Sequence, residues 1–240
     1  MSHRYIYPDE HGTAAAAAKI ILTLLEERLA SESLASLAIS GGKSPRQVFE
    51  LMAKVRFDWA NVHLFWVDER AVPPTDAQSN YLMAEQSLIT PARISKRNVH
   101  RVHGELKPDE AARLYAEDIR EFFGLAEGEL PHFDVVHQGM GPDGHTASLF
   151  PGERLIEDRE NIAAAVYAEK MQTWRVTLLP GVLLAARHTV MYVTGADKAD
   201  AVHSVFNDPY EPAKFPAQIM AHHGRSVTWL MDRAAGARMD

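Results

Sequence analysis

The chain of 240 residues contains no cysteine. That absence removes disulfide scaffolds, thiolate zinc sites, iron–sulfur clusters and any cysteine nucleophile together. No stretch reaches the ~18 apolar residues of a membrane span. The opening MSHRYIYPDE has no apolar core of the length a signal peptide needs. Basic excess is missing too: 25 cationic against 32 anionic side chains leave a formal charge of −7. A general nucleic-acid binder needs a basic face to displace counterions from phosphates, so that class is excluded. Several motifs are also absent: the P-loop GxxxxGK[ST], the dinucleotide fingerprint GxGxxG, the zinc motif HExxH and the nucleophile elbow GxSxG. The 12 histidines include His100 with His103 and the adjacent His222-His223, but no carboxylate-rich metal pattern accompanies them. The expectation is a soluble cytoplasmic protein, monomeric or weakly dimeric, with no metal, no cofactor and no nucleic-acid or membrane partner.

What is present is ordinary for a globular protein, 46% hydrophobic and 24% charged. At ~100–200 residues per domain the length allows one large domain or two small ones. No Pro-, Ser- or Gly-rich linker divides the chain and no internal repeat occurs, so residues 1–240 read as a single domain. The alternative is that Ala71 to Phe123 packs as a semi-independent flap. Short apolar β-favouring runs alternate with segments of helical period, which predicts an α/β architecture with a largely parallel sheet. Strands are expected at Tyr5–Tyr7, Leu34–Ile39, Val62–Val67, Val99–Val102 and Phe133–Val136, then near Ile162–Tyr167, Val176–Leu179, Val190–Val193 and Val227–Leu230. Helices are expected from Thr13 as N-cap to about Ser31, and from Pro45 behind Ser44 as N-cap. Others should begin near Ser79-Asn80 and span Pro108–Phe123, Ala196–Phe206 and Pro216–His222.

In open parallel sheets ligands bind beyond the carboxyl ends of the strands. Four polar clusters fall in those places: SGGKSP after the second strand, DER after the third, GMGPDGHT after the fifth and TGADK after a late one. SGGKSP joins a strand to a helix, and its glycines let backbone N–H groups approach an anion closely. In GMGPDGHT the crowded glycines and proline hold a rigid loop that presents Asp143 and His145. An imidazole suits acid–base work near neutral pH, and a carboxylate two residues away can orient it. Arg70 and Lys198 are candidate phosphate cations, one a planar fork and the other a mobile point charge. Asp68 and Glu69 read either as acids that orient Arg70 or substrate hydroxyls, or as a structural ion pair.

SGGKSP, VDERAVPPTDAQSNYLMA, GMGPDGHTASLFPG, WRVTLLPGVLLAA, VTGADKADAV and VTWLMDRAA together resemble the 6-phosphogluconolactonases. These sit within the wider glucosamine-6-phosphate isomerase/6-phosphogluconolactonase family, and the blocks follow its order from about Ala38 to Ala235. The resemblance implies a Rossmann-like α/β fold, a largely parallel sheet with helices on both faces, and hydrolysis of 6-phospho-D-glucono-1,5-lactone to 6-phosphogluconate, the second and cofactor-free step of the oxidative pentose phosphate pathway. By the same resemblance His145 activates water and Asp143 orients it. Gly41, Gly42, Lys43 and Ser44 match the phosphate-side loop, joined by Arg70 and Lys198, and Arg175 matches a recurring substrate- or phosphate-contacting arginine. Two departures stand out. His137-Gln138 replaces apolar or small residues before GMG, and Lys43 stands where Ser, Thr or Arg is usual. One alternative is a glucosamine-6-phosphate deaminase, but those proteins continue after the histidine into an IAFNEP-like stretch where this chain has TASLFP. The other is a non-catalytic sugar-phosphate sensor, which would be expected to carry a DNA-binding segment for which 240 residues leave no room.

Overall fold

The computed structural model describes residues 2–239, and of Lys43 the backbone only. Ten strands and seven α-helices can be followed among these residues. The strands are β1 (Ser2–Tyr7), β2 (Ala35–Ile39), β3 (Val62–Trp66), β4 (Asp68–Arg70), β5 (Val99–His100), β6 (Val135–Gln138), β7 (Ala163–Ala168), β8 (Thr173–Leu178), β9 (His188–Val193) and β10 (Val227–Asp232). The helices are α1 (Glu10–Ser31), α2 (Lys43–Lys54), α3 (Asn80–Ala84), α4 (Pro108–Phe123), α5 (Pro180–Ala185), α6 (Ala199–Asn207) and α7 (Gln218–His223). Among the described residues no helix is long and apolar enough to cross a membrane.

Seven strands form one sheet in the order β1-β10-β9-β6-β2-β3-β5, and every neighbouring pair is parallel. The α/β reading and the parallel sheet flanked by helices therefore hold. β2 lies near the middle, and all five of its residues, ASLAI, are buried. A strand covered on both faces carries such a continuous apolar run. β1 lies at the edge and its residues are mostly exposed.

A second, antiparallel sheet of three strands, β4-β8-β7, departs from the expectation of one sheet. The DER segment, expected at the end of the third strand, is itself one of these antiparallel strands. The chain changes sheets at Val67, whose N–H donates to Ile39 O (2.9 Å) while its C=O accepts from Leu178 N (2.8 Å). Three charged residues carry no apolar alternation, so this strand exists only because β8 is there to pair with it.

Two helix starts differ from expectation. The N-cap of α1 is Asp9, whose carboxylate accepts from Gly12 N at 2.8 Å, while Thr13 is buried one turn in. The N-cap of α2 is Gly42 at φ 111°, so Ser44 and Pro45 lie within the first turn. The alanine run of α1 does pack: Ala14, Ala17 and Ala18 are buried in line with Ile21, Leu22 and Leu25. α4 occupies the predicted span, with Pro108 in its first turn, Asp109 and Glu110 behind it and Gly124 in the left-handed conformation at its end.

The segment 71–123 is bound into the main core. Ala111, Tyr115 and Ile119 of α4 belong to the same apolar cluster as Leu37 and Phe65. The Tyr115 hydroxyl accepts from Trp66 N and donates to Trp66 O, both at 2.7 Å, closing the end of β3.

Candidate active site

Sheet topology alone locates a crevice. From β2 the chain winds outward through β3 and β5, whereas from β6 it winds the other way through β9 and β10. The reversal between β2 and β6 leaves their following loops splayed apart, which is where parallel sheets take ligands. The cleft there measures about 850 Å³, including space open to solvent. It is lined by Gly41, Gly42, Ser44, Asp68, Arg70, His145, Arg175 and Lys198, eight residues singled out from the sequence. The Lys43 side chain lies outside the described residues.

The loop after β6 is held by its own backbone. Gly141 N donates to His145 O (2.8 Å) and Gly144 N donates to Gly141 O (3.0 Å). Thr146 Oγ1 anchors it below, 2.8 Å from Gln138 Oε1 and 2.9 Å from Gly139 O. A Cβ on Gly141 would lie 2.1 Å from the His145 ring, so only glycine lets the imidazole fold back over the loop. There His145 Nδ1 sits 2.6 Å from Asp143 Oδ1, and the ring packs against Phe150 at 4.8 Å between centroids.

The hydrogen bond from His145 holds the Asp143 carboxyl far below the usual range; the Lys170 ammonium, 3.0 Å from Oδ2, adds to this against the cost of partial burial. An ionised Asp143 only accepts, so Nδ1 carries the proton and Nε2 keeps the basic lone pair. Asp143 thus stands behind His145 rather than lining the cleft.

Across the cleft the cations gather. Arg70 on β4 and Arg175 on β8 are direct cross-strand partners, and both face the cavity. Burial lowers the Arg175 pKa, Asp68 opposes that shift, and Arg70 reinforces it. Their neutralisation is thin. Asp68 Oδ2 lies 3.8 Å from Arg175 but only 2.6 Å from Ser148 Oγ, to which it is committed. Arg175 Nη2 meets Met171 Sδ at 3.0 Å, and the Nε atoms of both arginines are buried without a partner. Like charges placed side by side and so little answered favour an anion between them.

The first turn of α2 faces the same space. Gly42 offers no side-chain cap, leaving that turn's backbone N–H groups for a ligand. Lys198 enters from beyond β9, paired at 2.8 Å with Asp197.

Glu69 is not a ligand-orienting acid. Its two oxygens accept from the N–H groups of Arg70, Asn80 and Tyr81, each at 2.7 Å, and from Ser79 Oγ at 3.1 Å. Burial raises its pKa against these hydrogen bonds, and its work is to cap α3. It forms no ion pair with Arg70 either, because the Arg70 guanidinium donates to Gln78 O.

Sequence reasoning missed Met171 and Tyr192, which also line the cleft, and Lys170 behind Asp143, whereas Ser40 and Thr194, also in the lining, open the SGGKSP and TGADK clusters. Tyr192 sits in an apolar strand and reads as core. Lys170 sits in a hairpin tip with no motif of its own.

His137 is fully buried between Phe49 and Tyr192, with ring centroids 5.5 and 6.3 Å away. Burial pushes its pKa down to about 4, so it brings no charge to the loop at neutral pH.

Comparison with known proteins places this geometry. A model of the family described as glucosamine-6-phosphate isomerases/6-phosphogluconolactonase matches residues 8–229. The chain is 33% identical over 235 residues to a 6-phosphogluconolactonase of Nostoc sp., covering 98% of this chain and 97% of that one. It is 34% identical over 230 residues to a 6-phosphogluconolactonase of Treponema pallidum, covering 95% and 92%. Among solved structures, the 6-phosphogluconolactonase from Trypanosoma cruzi superposes with a TM-score of 0.89 at 25% identity, over 100% of this chain and 97% of that one. The chain belongs to the glucosamine-6-phosphate isomerase/6-phosphogluconolactonase family.

Proposed function

We propose that this protein hydrolyses 6-phospho-D-glucono-1,5-lactone to 6-phospho-D-gluconate, with His145 activating the attacking water. The observation that carries this reading is the His145–Asp143 pair, 2.6 Å apart, at the edge of a cleft whose far wall holds Arg70 and Arg175. A δ-lactone is an activated ester with a tethered leaving group, so its hydrolysis calls for a base and a positioned water, not a covalent nucleophile.

His145 Nε2 takes a proton from water as the oxygen adds to the C1 carbonyl. The tetrahedral intermediate then collapses, the bond from C1 to the ring oxygen breaks, and the imidazolium returns its proton to that oxygen. Asp143 stays ionised throughout and holds the tautomer. The Gly141 and Gly144 N–H groups are spent within their loop, so the developing oxyanion draws on other donors of the cleft. The phosphate lies at the first turn of α2 and between Arg70 and Arg175, joined by Lys198, where it fixes the lactone's orientation rather than taking part in bond breaking.

We read residues 1–240 as one cytoplasmic catalytic domain, monomeric or weakly dimeric. Its partner is this small phosphorylated lactone rather than nucleic acid or a membrane. The experiment is a coupled assay for 6-phosphogluconate with spontaneous hydrolysis subtracted. General base help is worth about 10²–10⁴-fold, or ~3–5 kcal/mol, and His145→Ala should lose that much in kcat. A kcat near that of the unaltered protein would remove His145 from the mechanism.

A further inference from the structure

The floor of the cleft is polar in a way that folding does not require. Tyr192, on β9, is 2% exposed, yet it lines the cavity. Its hydroxyl is buried without a hydrogen bond of proper geometry, and the Thr194 hydroxyl, two residues along, stands beside it. Among the described residues the phenol proton therefore has no well-aligned acceptor. Burial pushes the phenol pKa up to about 12, so that proton is present at any physiological pH. Ser40 Oγ, also buried and unpartnered, lines the same floor from the β2 side.

A buried hydroxyl with no partner costs stability, whereas phenylalanine would fill the same space without that cost. The hydroxyl is thus better explained by something that enters the cleft. Thr194, just beyond the end of β9, also lines the cavity, so two neutral hydroxyls lie together at this floor. Neutral hydroxyls in place of a cation suit a polyol more than a single developing oxyanion.

We propose that Tyr192 is a specificity-determining residue that donates a hydrogen bond from its phenol to a ring hydroxyl oxygen of the bound phosphorylated lactone. This rests on the lactonase reading and assigns the sugar end of its site. The phosphate is held elsewhere, by the arginines and the first turn of α2.

The test is Tyr192→Phe, compared with the unaltered protein in turnover, ligand binding and thermal unfolding. KM for the phosphorylated lactone and Kd for 6-phosphogluconate should each rise about tenfold, while kcat stays within about twofold. Kd for inorganic phosphate should not change, and Tm should stay level or rise. Unchanged KM and Kd would overturn the proposal. A fall in kcat at constant KM would overturn it by moving the contact to the transition state. A lowered Tm would assign the hydroxyl to the fold, and equal weakening of inorganic phosphate would assign it to the phosphate. Failure of the lactonase reading itself would appear as absent turnover in the unaltered protein, and the ratio of 6-phosphogluconate Kd values is independent of turnover.

Discussion

Arg175 is held at a cost in the absence of substrate. It is 7% exposed, faces another arginine directly across the ladder, and has a 3.8 Å contact with Asp68 and a thioether at 3.0 Å in return. Removing a charged hydrogen bond to a ligand costs ~1.5–3 kcal/mol, about 10- to 100-fold in affinity. Arg175→Met should raise KM for the phosphorylated lactone by that factor and leave KM for unphosphorylated gluconolactone nearly unchanged. Equal effects on the two lactones, measured side by side, would show that Arg175 does not hold the phosphate. His145 is positioned differently. Its ring is fixed by one ionised neighbour, by the fold of its own loop and by Phe150, so it depends on backbone shape more than on distant charge.

That dependence makes the Gly139–Thr146 loop the element to test. A methyl group at residue 141 would meet His145 Nδ1 and Cε1 at 2.1 Å and Asp143 Oδ1 at 2.9 Å. Turning the imidazole relieves the closest contacts, so Gly141→Ala should swing it away from Asp143. A ~1 Å misplacement of a catalytic group can cost about 10²-fold, and kcat should fall by that order while circular dichroism stays native. A variant with native kcat would mean that the loop relaxes freely and that its glycine serves another purpose. β4 gives the complementary case. It has no apolar pattern, yet it aligns Arg70 with Arg175, caps α3 through Glu69 and joins the two sheets.

For the molecule as a whole, the parallel sheet sets where the ligand goes, and one buried group sets how stability follows pH. His137 has no hydrogen-bond partner for either ring nitrogen, and burial holds its pKa near 4 against 6.5 for an unburied histidine. Between those two values the unfolded chain binds a proton that the folded chain refuses, so stability rises with pH across the window. The contribution is intact above pH ~6.5 and is lost on acidification toward pH ~4, about 3 kcal/mol in all. Tm should therefore drop between pH 7 and pH 4.5, and the drop should be shallower in His137→Leu. Parallel curves for the two proteins would locate the acid sensitivity in other groups. Charge acts at the same level. A net −7 repels an anionic substrate at long range, while Arg70, Arg175 and Lys198 reverse the sign inside the cleft.

Local signals carry far in this chain because they agree with one another. α4 can be read to its ends from Pro108, the acidic first turn, the apolar spacing and Gly124, all of which act within a few residues. The buried central strands announce themselves as apolar runs, and the glycine-rich blocks after them mark the ligand-binding edge. Side chains whose roles depend on distant neighbours cannot be read this way. Glu69 has the look of a site acid until α3 folds over it, and Tyr192 has the look of core until the cleft opens beside it. β4 becomes a strand only when β8 arrives more than 100 residues later to pair with it. Hydrophobic period, capping and turn chemistry are local and can be read from the order of residues. Cross-strand register, orphaned hydroxyls and the pairing of like charges arise only when remote segments meet, and the folded chain alone sets them.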